Sequence, residues 1–260
     1  MRRIFFLILI FLSFQNIQAQ STAVKKNKVH IYILAGQSNM AGRGTVGGVD
    51  TLINPHIWMF NKDEQWVPAK EPLHFDKPKV VGVGPGFAFA NMMSNADKDV
   101  MIYLVPCAVG GTRIDLWNPG AYDSATKTHP YDDAINRIKK AMPAGELKGI
   151  IWHQGESDCT PALSVVYENK LKELVQRFRT ELGKPSLPFI MGEIAEFKAV
   201  VNLNKVLVNQ SIKNVAATLP NCGFVETNGL HHRGDSLHFD SPSAREIGKR
   251  YAAVMLSLKK

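Results

Sequence analysis

The chain has 260 residues and is basic, with 31 Lys and Arg against 23 Asp and Glu and a formal charge of +8. The excess is scattered in short pairs such as Lys25-Lys26, Lys139-Lys140 and Lys259-Lys260; a nucleic-acid surface would show a dense basic stripe with interleaved aromatics, so no nucleic-acid partner is expected. Three cysteines, Cys107, Cys159 and Cys222, are too few and too widely spaced for a metal cage or a disulfide-dense scaffold, though one bridge of open pairing is compatible with export.

At the start of the chain, Arg2 and Arg3 precede an apolar run from Ile4 to Phe14, and Ile17-Gln18-Ala19 ends in a small residue. This is the layout of a secretory leader, and the run is about half of the roughly 20 apolar residues that a membrane-spanning helix needs. A signal peptide over residues 1–19 is therefore expected, followed by one domain over 20–260 that is secreted or periplasmic and has no stable membrane span.

The next ordered run, Val29 to Ala35, is nearly continuous in apolar and β-branched residues and ends at Gly36, as a strand covered on both faces of a parallel sheet should. Residues 42–86 are rich in Gly and Pro, carry Trp58 and Trp66, and show no long period. They predict an extended loop region, with one short strand at Ile57 to Phe60, that could shape a substrate cleft. Further strand-like runs follow at Val100 to Val105, Gly149 to His153, Pro188 to Met191 and Gly223 to Glu226. Between and after them, Ile135, Ile138 and Met142 share a helix face, Leu171, Leu174, Val175, Phe178 and Leu182 keep amphipathic spacing, and Ile247, Tyr251, Val254, Met255 and Leu258 line a terminal helix. Ser241-Pro242 reads as its N-cap and first helical position. The alternation predicts an α/β fold, a three-layer α/β/α sandwich around a mainly parallel five-stranded sheet.

Ligands in such sheets bind beyond the carboxyl ends of the strands. Four segments there are unusually polar: Gly36-Gln37-Ser38-Asn39-Met40, Pro106 to Thr112 with Gly110-Gly111, His153-Gln154-Gly155-Glu156-Ser157-Asp158, and Asp235-Ser236-Leu237-His238. Together they hold the parts of an acyl-transfer site. Ser38, at a helix start, is a nucleophile awaiting a base; His238 is that base, and Asp235 three residues earlier can orient its ring. The glycine pair lets a backbone N–H approach a developing oxyanion, and Gln154 offers a side-chain amide. His153 could line the site. Arg113 and Trp117 could contact a sugar by hydrogen bonding and stacking. His231 and His232 have no third ligand at suitable spacing, so neither metal nor organic cofactor is expected.

At these residues the chain resembles the SGNH hydrolases, serine esterases on a flavodoxin-like sheet, and in particular the branch of sialate O-acetylesterases and carbohydrate esterase family 6 acetylxylan esterases. The resemblance runs over about residues 29–256. It implies Ser38, His238 and Asp235 as the triad, and an oxyanion hole from the Ser38 amide, Gly110 or Gly111, and Gln154, which takes the place of the asparagine usual in the wider superfamily. Glu156 competes with Asp235 as partner of the histidine, with Asp235 favoured. The function implied is a serine esterase that removes acetyl groups from acetylated carbohydrate, either acetylxylan or O-acetylated sialic acid. A lipase or arylesterase of the same chemistry, and a carbohydrate-binding protein that no longer catalyses, are the alternatives.

Overall fold

The structure, a computed structural model, describes residues 28–197 and 201–258; the expected signal peptide lies outside the described residues. A seven-stranded sheet organises them, in the order β3-β2-β4-β1-β5-β6-β7. Its strands are β1 (Lys28–Gly36), β2 (Ile57–Phe60), β3 (Trp66–Pro68), β4 (Val100–Pro106), β5 (Glu146–His153), β6 (Phe189–Gly192) and β7 (Cys222–Val225). All neighbours pair in parallel except β3, which runs antiparallel to β2.

Burial explains why β1 reads as an unbroken apolar run. Ile31, Ile33 and Ala35 enter one core beneath α3 (Pro130–Ala141), α5 (Tyr167–Glu181) and α6 (Leu203–Thr218). Tyr32 and Leu34 enter the other, beneath α2 (Pro85–Ala96) and α7 (Ser241–Ser257). A strand with helices on both faces has no solvent side, so the usual polar alternation is lost. Two short helices complete the set, α1 (Ser38–Ala41) directly after β1 and α4 (Pro161–Ser164) before α5. The three-layer sandwich is as expected, with two strands more than expected. The short strand at Ile57–Phe60 is present, pairs with β4, and is joined by the three-residue β3, which is too brief to show a period.

One local reading, the N-cap of the last helix, changes, and packing explains other local features. Helices α2 and α6 carry no clean sequence period because apolar residues occur on both their faces: Met92 of α2 and Leu203, Val206 and Leu207 of α6 are exposed. The N-cap of α7 is Asp240, whose carboxylate accepts from the Ser243 amide at 2.8 Å, while the Ser241 hydroxyl donates to the Thr45 carbonyl. The three cysteines are free thiols. Trp58 and Trp66 stack on Tyr103 at the sheet edge, with ring centroids 6.2 and 4.4 Å away.

The region between α1 and α2 is tied down at three points rather than left as a loose loop. Asp50 receives a bidentate pair from Arg245 of α7 at 2.9 and 2.8 Å. Asp76 accepts from the Arg43 guanidinium and the Gly110 amide, both at 2.8 Å. The buried Glu71 carboxyl accepts from the amides of Leu73 and Gly84. Burial pushes the Glu71 carboxyl up to about 8 against those two hydrogen bonds, so the folded protein holds a proton there that the unfolded chain has released. Stability contributed by this group is present at low pH and is lost as pH rises from about 4.5 to about 8. Glu71→Gln cannot titrate, so the wild-type thermal midpoint should fall relative to that of the variant across that interval. Parallel melting curves at every pH would refute it.

Candidate active site

The order of the sheet sets the place. The chain crosses from one side of β1 to the other between β4 and β5, and a crevice opens at such a switch point beyond the carboxyl ends of the strands. The segments after β1, β4 and β5 meet there, joined by the loop before α7. Gly36 makes the close approach: at φ +129° it occupies a backbone region that favours glycine, and a Cβ there would stand 2.1 Å from the His153 carbonyl oxygen. The neighbouring Gln37 amide donates to that same carbonyl at 2.9 Å. The chain then turns directly into α1, with Ser38 as its first residue, where a helix leaves the backbone N–H without an intrahelical partner.

Ser38 faces His238 across a cleft of about 540 Å³, lined also by Gln37, Arg43, Lys77, Gly110, Gly111 and Ser157. The His238 Nε2 lies 3.0 Å from the Ser38 Oγ, and its Nδ1 lies 2.7 Å from Asp235 Oδ2. A carboxylate at Nδ1 selects the tautomer that carries its proton there, leaving the Nε2 lone pair to accept from the serine hydroxyl. Burial by itself would raise the Asp235 carboxyl, but hydrogen bonds from the His238 amide and ring and from the Leu237 amide outweigh it and hold it down to about 2. Asp235 is therefore a full anion throughout the range in which an imidazole titrates.

Glu156, the competing acid, serves another partner. Its Oε1 accepts from the Asn39 side-chain amide at 2.5 Å. It also lies 3.8 Å from Nε2 of His153, not of His238. His153 is fully buried behind the cleft. Its Nδ1 donates to the Tyr251 hydroxyl at 3.0 Å, since that hydroxyl gives its own proton to the Trp152 carbonyl at 2.7 Å. Burial lowers the His153 pKa, with Glu156 and Glu193 opposing.

Three other expectations are corrected. Gln154 is 0% exposed. Its Nε2 donates to the Thr112 carbonyl, Asp158 and Gln37 Oε1, and its Oε1 accepts from Tyr167, so this amide braces the loop after β5 from behind and presents no donor to the cleft. Gly110 lines the cleft, but its N–H is given to Asp76; Gly111, at φ +87°, is the glycine whose amide has no partner among the described residues. Trp117 is fully buried, packed edge-on against Trp152 with its indole N–H on the Thr112 hydroxyl, and cannot stack on a sugar. Arg113 is exposed, two residues beyond Gly111, and is not among the residues that line the cleft. His232 accepts the amides of Gly234 and Ser236 at Nδ1 and so shapes the loop that carries the base.

Gln37 was not singled out from the sequence, and the structure gives it a clear polarity. Its Oε1 faces three donors, Gln154 Nε2, the Gly155 amide and the Ser157 amide, at 3.2 to 3.4 Å. Gln37 lines the cleft, and its Nε2 has no acceptor among the described residues. The only sequence signal was its place beside the serine. Lys77, from the loop region, brings positive charge to the same wall, where the Arg43 guanidinium is paired with the buried Asp76.

A serine, a histidine and a carboxylate in hydrogen-bonded series, at the switch point of a parallel sheet, define the class of serine hydrolases. The family model for carbohydrate esterase, sialic acid-specific acetylesterase, matches residues 28–257. The chain belongs to this family, and it is a carbohydrate acetylesterase. It is 35% identical over 251 residues to a "Probable carbohydrate esterase" of Arabidopsis thaliana, covering 87% of this chain and 90% of that one. The crystal structure of an Arabidopsis thaliana protein superposes with a TM-score of 0.79 at 33% identity, over 89% of this chain and 99% of that one. The crystal structure of NanS shares the fold, with a TM-score of 0.71 at 18% identity over 89% and 97% of the two chains.

Proposed function

We propose that the protein is exported and removes O-acetyl groups from carbohydrate through an acetyl-serine intermediate. The observation that carries this reading is the unbroken series Ser38 Oγ, His238 Nε2, His238 Nδ1, Asp235 Oδ2, at 3.0 and 2.7 Å, on the wall of an open polar cleft. His238 takes the Ser38 proton as Oγ attacks the acetyl carbonyl. The tetrahedral oxyanion is held by the Ser38 and Gly111 amides, with Gln37 Nε2 as the side-chain donor in place of Gln154. Collapse breaks the ester C–O bond, and the proton on His238 passes to the departing sugar oxygen. Water then gives a proton to His238 and attacks the acetyl-enzyme, the bond between Ser38 Oγ and the acetyl carbon breaks, His238 returns the proton to Oγ, and acetate leaves.

The wall chemistry favours sugar over an acyl chain. Only Val80 and Leu237 are large apolar residues among those lining the cleft, which otherwise presents Arg43, Lys77, Arg233, Glu156 and Ser157. A lipase-like site would need a continuous apolar surface for its chain. Export is supported by the Arg2-Arg3 pair and the apolar run that follows. The experiment is release of acid by residues 20–260 from acetylated xylan, O-acetyl sialic acid and an aryl octanoate. Acetate release should exceed octanoate release by at least about tenfold, the discrimination expected when extra methylenes find no pocket. Faster octanoate release would favour the lipase reading, and glycan binding without release the non-catalytic one.

A further inference from the structure

The base has no helix or strand beneath it. Residues 226–240 form a loop between β7 and α7, with Gly229, Gly234 and Ser236 all at positive φ and a single antiparallel bridge between His232 and Phe239 closing its tip. A loop of that kind has many alternative conformers, and a catalytic pair depends on relative placement to a fraction of an ångström. Asp235 anchors the loop from within, accepting the Leu237 and His238 amides at 3.0 and 2.8 Å. That anchor fixes His238 to Asp235. It does not fix either of them to Ser38, which belongs to another segment about two hundred residues earlier.

Asn39 supplies that link. It follows Ser38 in α1 and is 3% exposed. Its Nδ2 donates to the Leu237 carbonyl and its Oδ1 accepts from the Phe239 amide, both at 3.1 Å. The two backbone groups flank His238, so the side-chain amide pairs with the loop as a neighbouring strand would, one donor and one acceptor across the base. The second Nδ2 hydrogen goes to Glu156 Oε1, and because a carboxylate only accepts, this contact dictates which end of the amide is nitrogen. Reversing the amide would set oxygen against both Glu156 and the Leu237 carbonyl, and NH2 against the Phe239 N–H.

We propose that Asn39 is a positioning residue for the reaction, clamping the backbone on both sides of His238 so that nucleophile and base hang from one dipeptide, and that Glu156 sets the polarity of the clamp. The kinetic part of this inference rests on the Ser38–His238 reading given above. The structural part does not, and the test separates them.

Asn39→Asp keeps the size and the acceptor for Phe239, but removes both donors and opposes Glu156 with a second carboxylate. With an aryl acetate, kcat should fall on the order of 10²-fold, the cost of about 1 Å of misplacement, while KM stays within about threefold. The low-field proton resonance of the His238–Asp235 hydrogen bond, recorded on the substrate-free protein, should shift or disappear. Adding Glu156→Gln gives the new carboxylate an amide donor and should restore about tenfold in kcat, which a general loss of stability would not allow. Should Asn39→Asp fail to fold, Glu156→Leu, which leaves Asn39 in place but unoriented, should lower kcat at least about tenfold and perturb the same resonance. Unchanged kcat and an unchanged resonance in these variants would overturn the clamp. If the wild-type protein released no acetate while the resonance was present and was lost in Asn39→Asp, the function reading would fall and the clamp would stand.

Discussion

Ser38→Ala should remove acetate release almost entirely, a loss on the order of 10⁶ in kcat, because the members of a triad act as a unit and the alanine has no oxygen to acylate. The substitution is mild for the fold. It deletes one oxygen from a residue that is 6% exposed, and the partner it strands, His238 Nε2, opens onto the cleft where water can replace the hydroxyl. Thermal stability should therefore stay close to that of the wild type while chemistry disappears. Acetate release by the purified variant beside wild type, with intact mass after a pulse of aryl acetate to detect acetylation, is the measurement. A variant retaining a hundredth of the activity would mean that another group attacks the ester and that the serine mechanism is wrong.

The second large effect separates the two carboxylates. Asp235→Asn keeps an oxygen for the Leu237 and His238 amides, but the atom facing Nδ1 becomes an NH2 group, which favours the opposite tautomer and leaves Nε2 protonated and useless as a base. Turnover should fall by about 10⁴. Glu156→Gln, by contrast, still offers Asn39 an acceptor and should cost less than about tenfold, since no proton transfer passes through it. Equal losses in the two variants, or the larger loss in Glu156→Gln, would restore Glu156 as the triad acid. The pH dependence carries the same distinction. Asp235 is held at about 2 against an ordinary 3.8. Its bonds thus stabilise the folded protein above about pH 4 and lose that contribution only as pH falls through about 2. The instability of Asp235→Asn relative to wild type should shrink across that window.

Much of this protein was legible without coordinates because two kinds of local information were strong. Short apolar runs rich in β-branched residues and closed by glycine, such as Val29 to Ala35, fit strands buried on both faces, and helix-spaced sets such as Leu171, Leu174, Val175 and Phe178 bury one stripe. Their alternation leaves a three-layer sandwich as the compact arrangement. The motif residues Ser38, Asp235 and His238 follow strands or precede the last helix, and the ends of parallel strands must converge, so their meeting was implied by chain order alone. The elements that escaped were those whose local signal is weak. The strand Trp66–Pro68 is too short for a period, and α2 and α6 carry apolar residues on more than one face.

What the amino-acid order determined by itself was the architecture, the class of chemistry and the serine, histidine and carboxylate that meet at the cleft. These depend on periodicity and on residue types that have few substitutes. Only the tertiary structure decided which amide faces the cleft and which carboxylate faces the base. Gln37 and Gln154 have the same side chain, and both sit just past a strand. They differ because Thr112, Asp158 and Tyr167 consume the polar atoms of one, while the other spends only its oxygen and keeps its nitrogen without an acceptor among the described residues. Asp235 and Glu156 are likewise both carboxylates near a histidine, and the direction in which each accepts its hydrogen bonds separates them. Hydrogen-bond direction is set by partners far apart in the chain, and so it is the property that a sequence read locally does not contain.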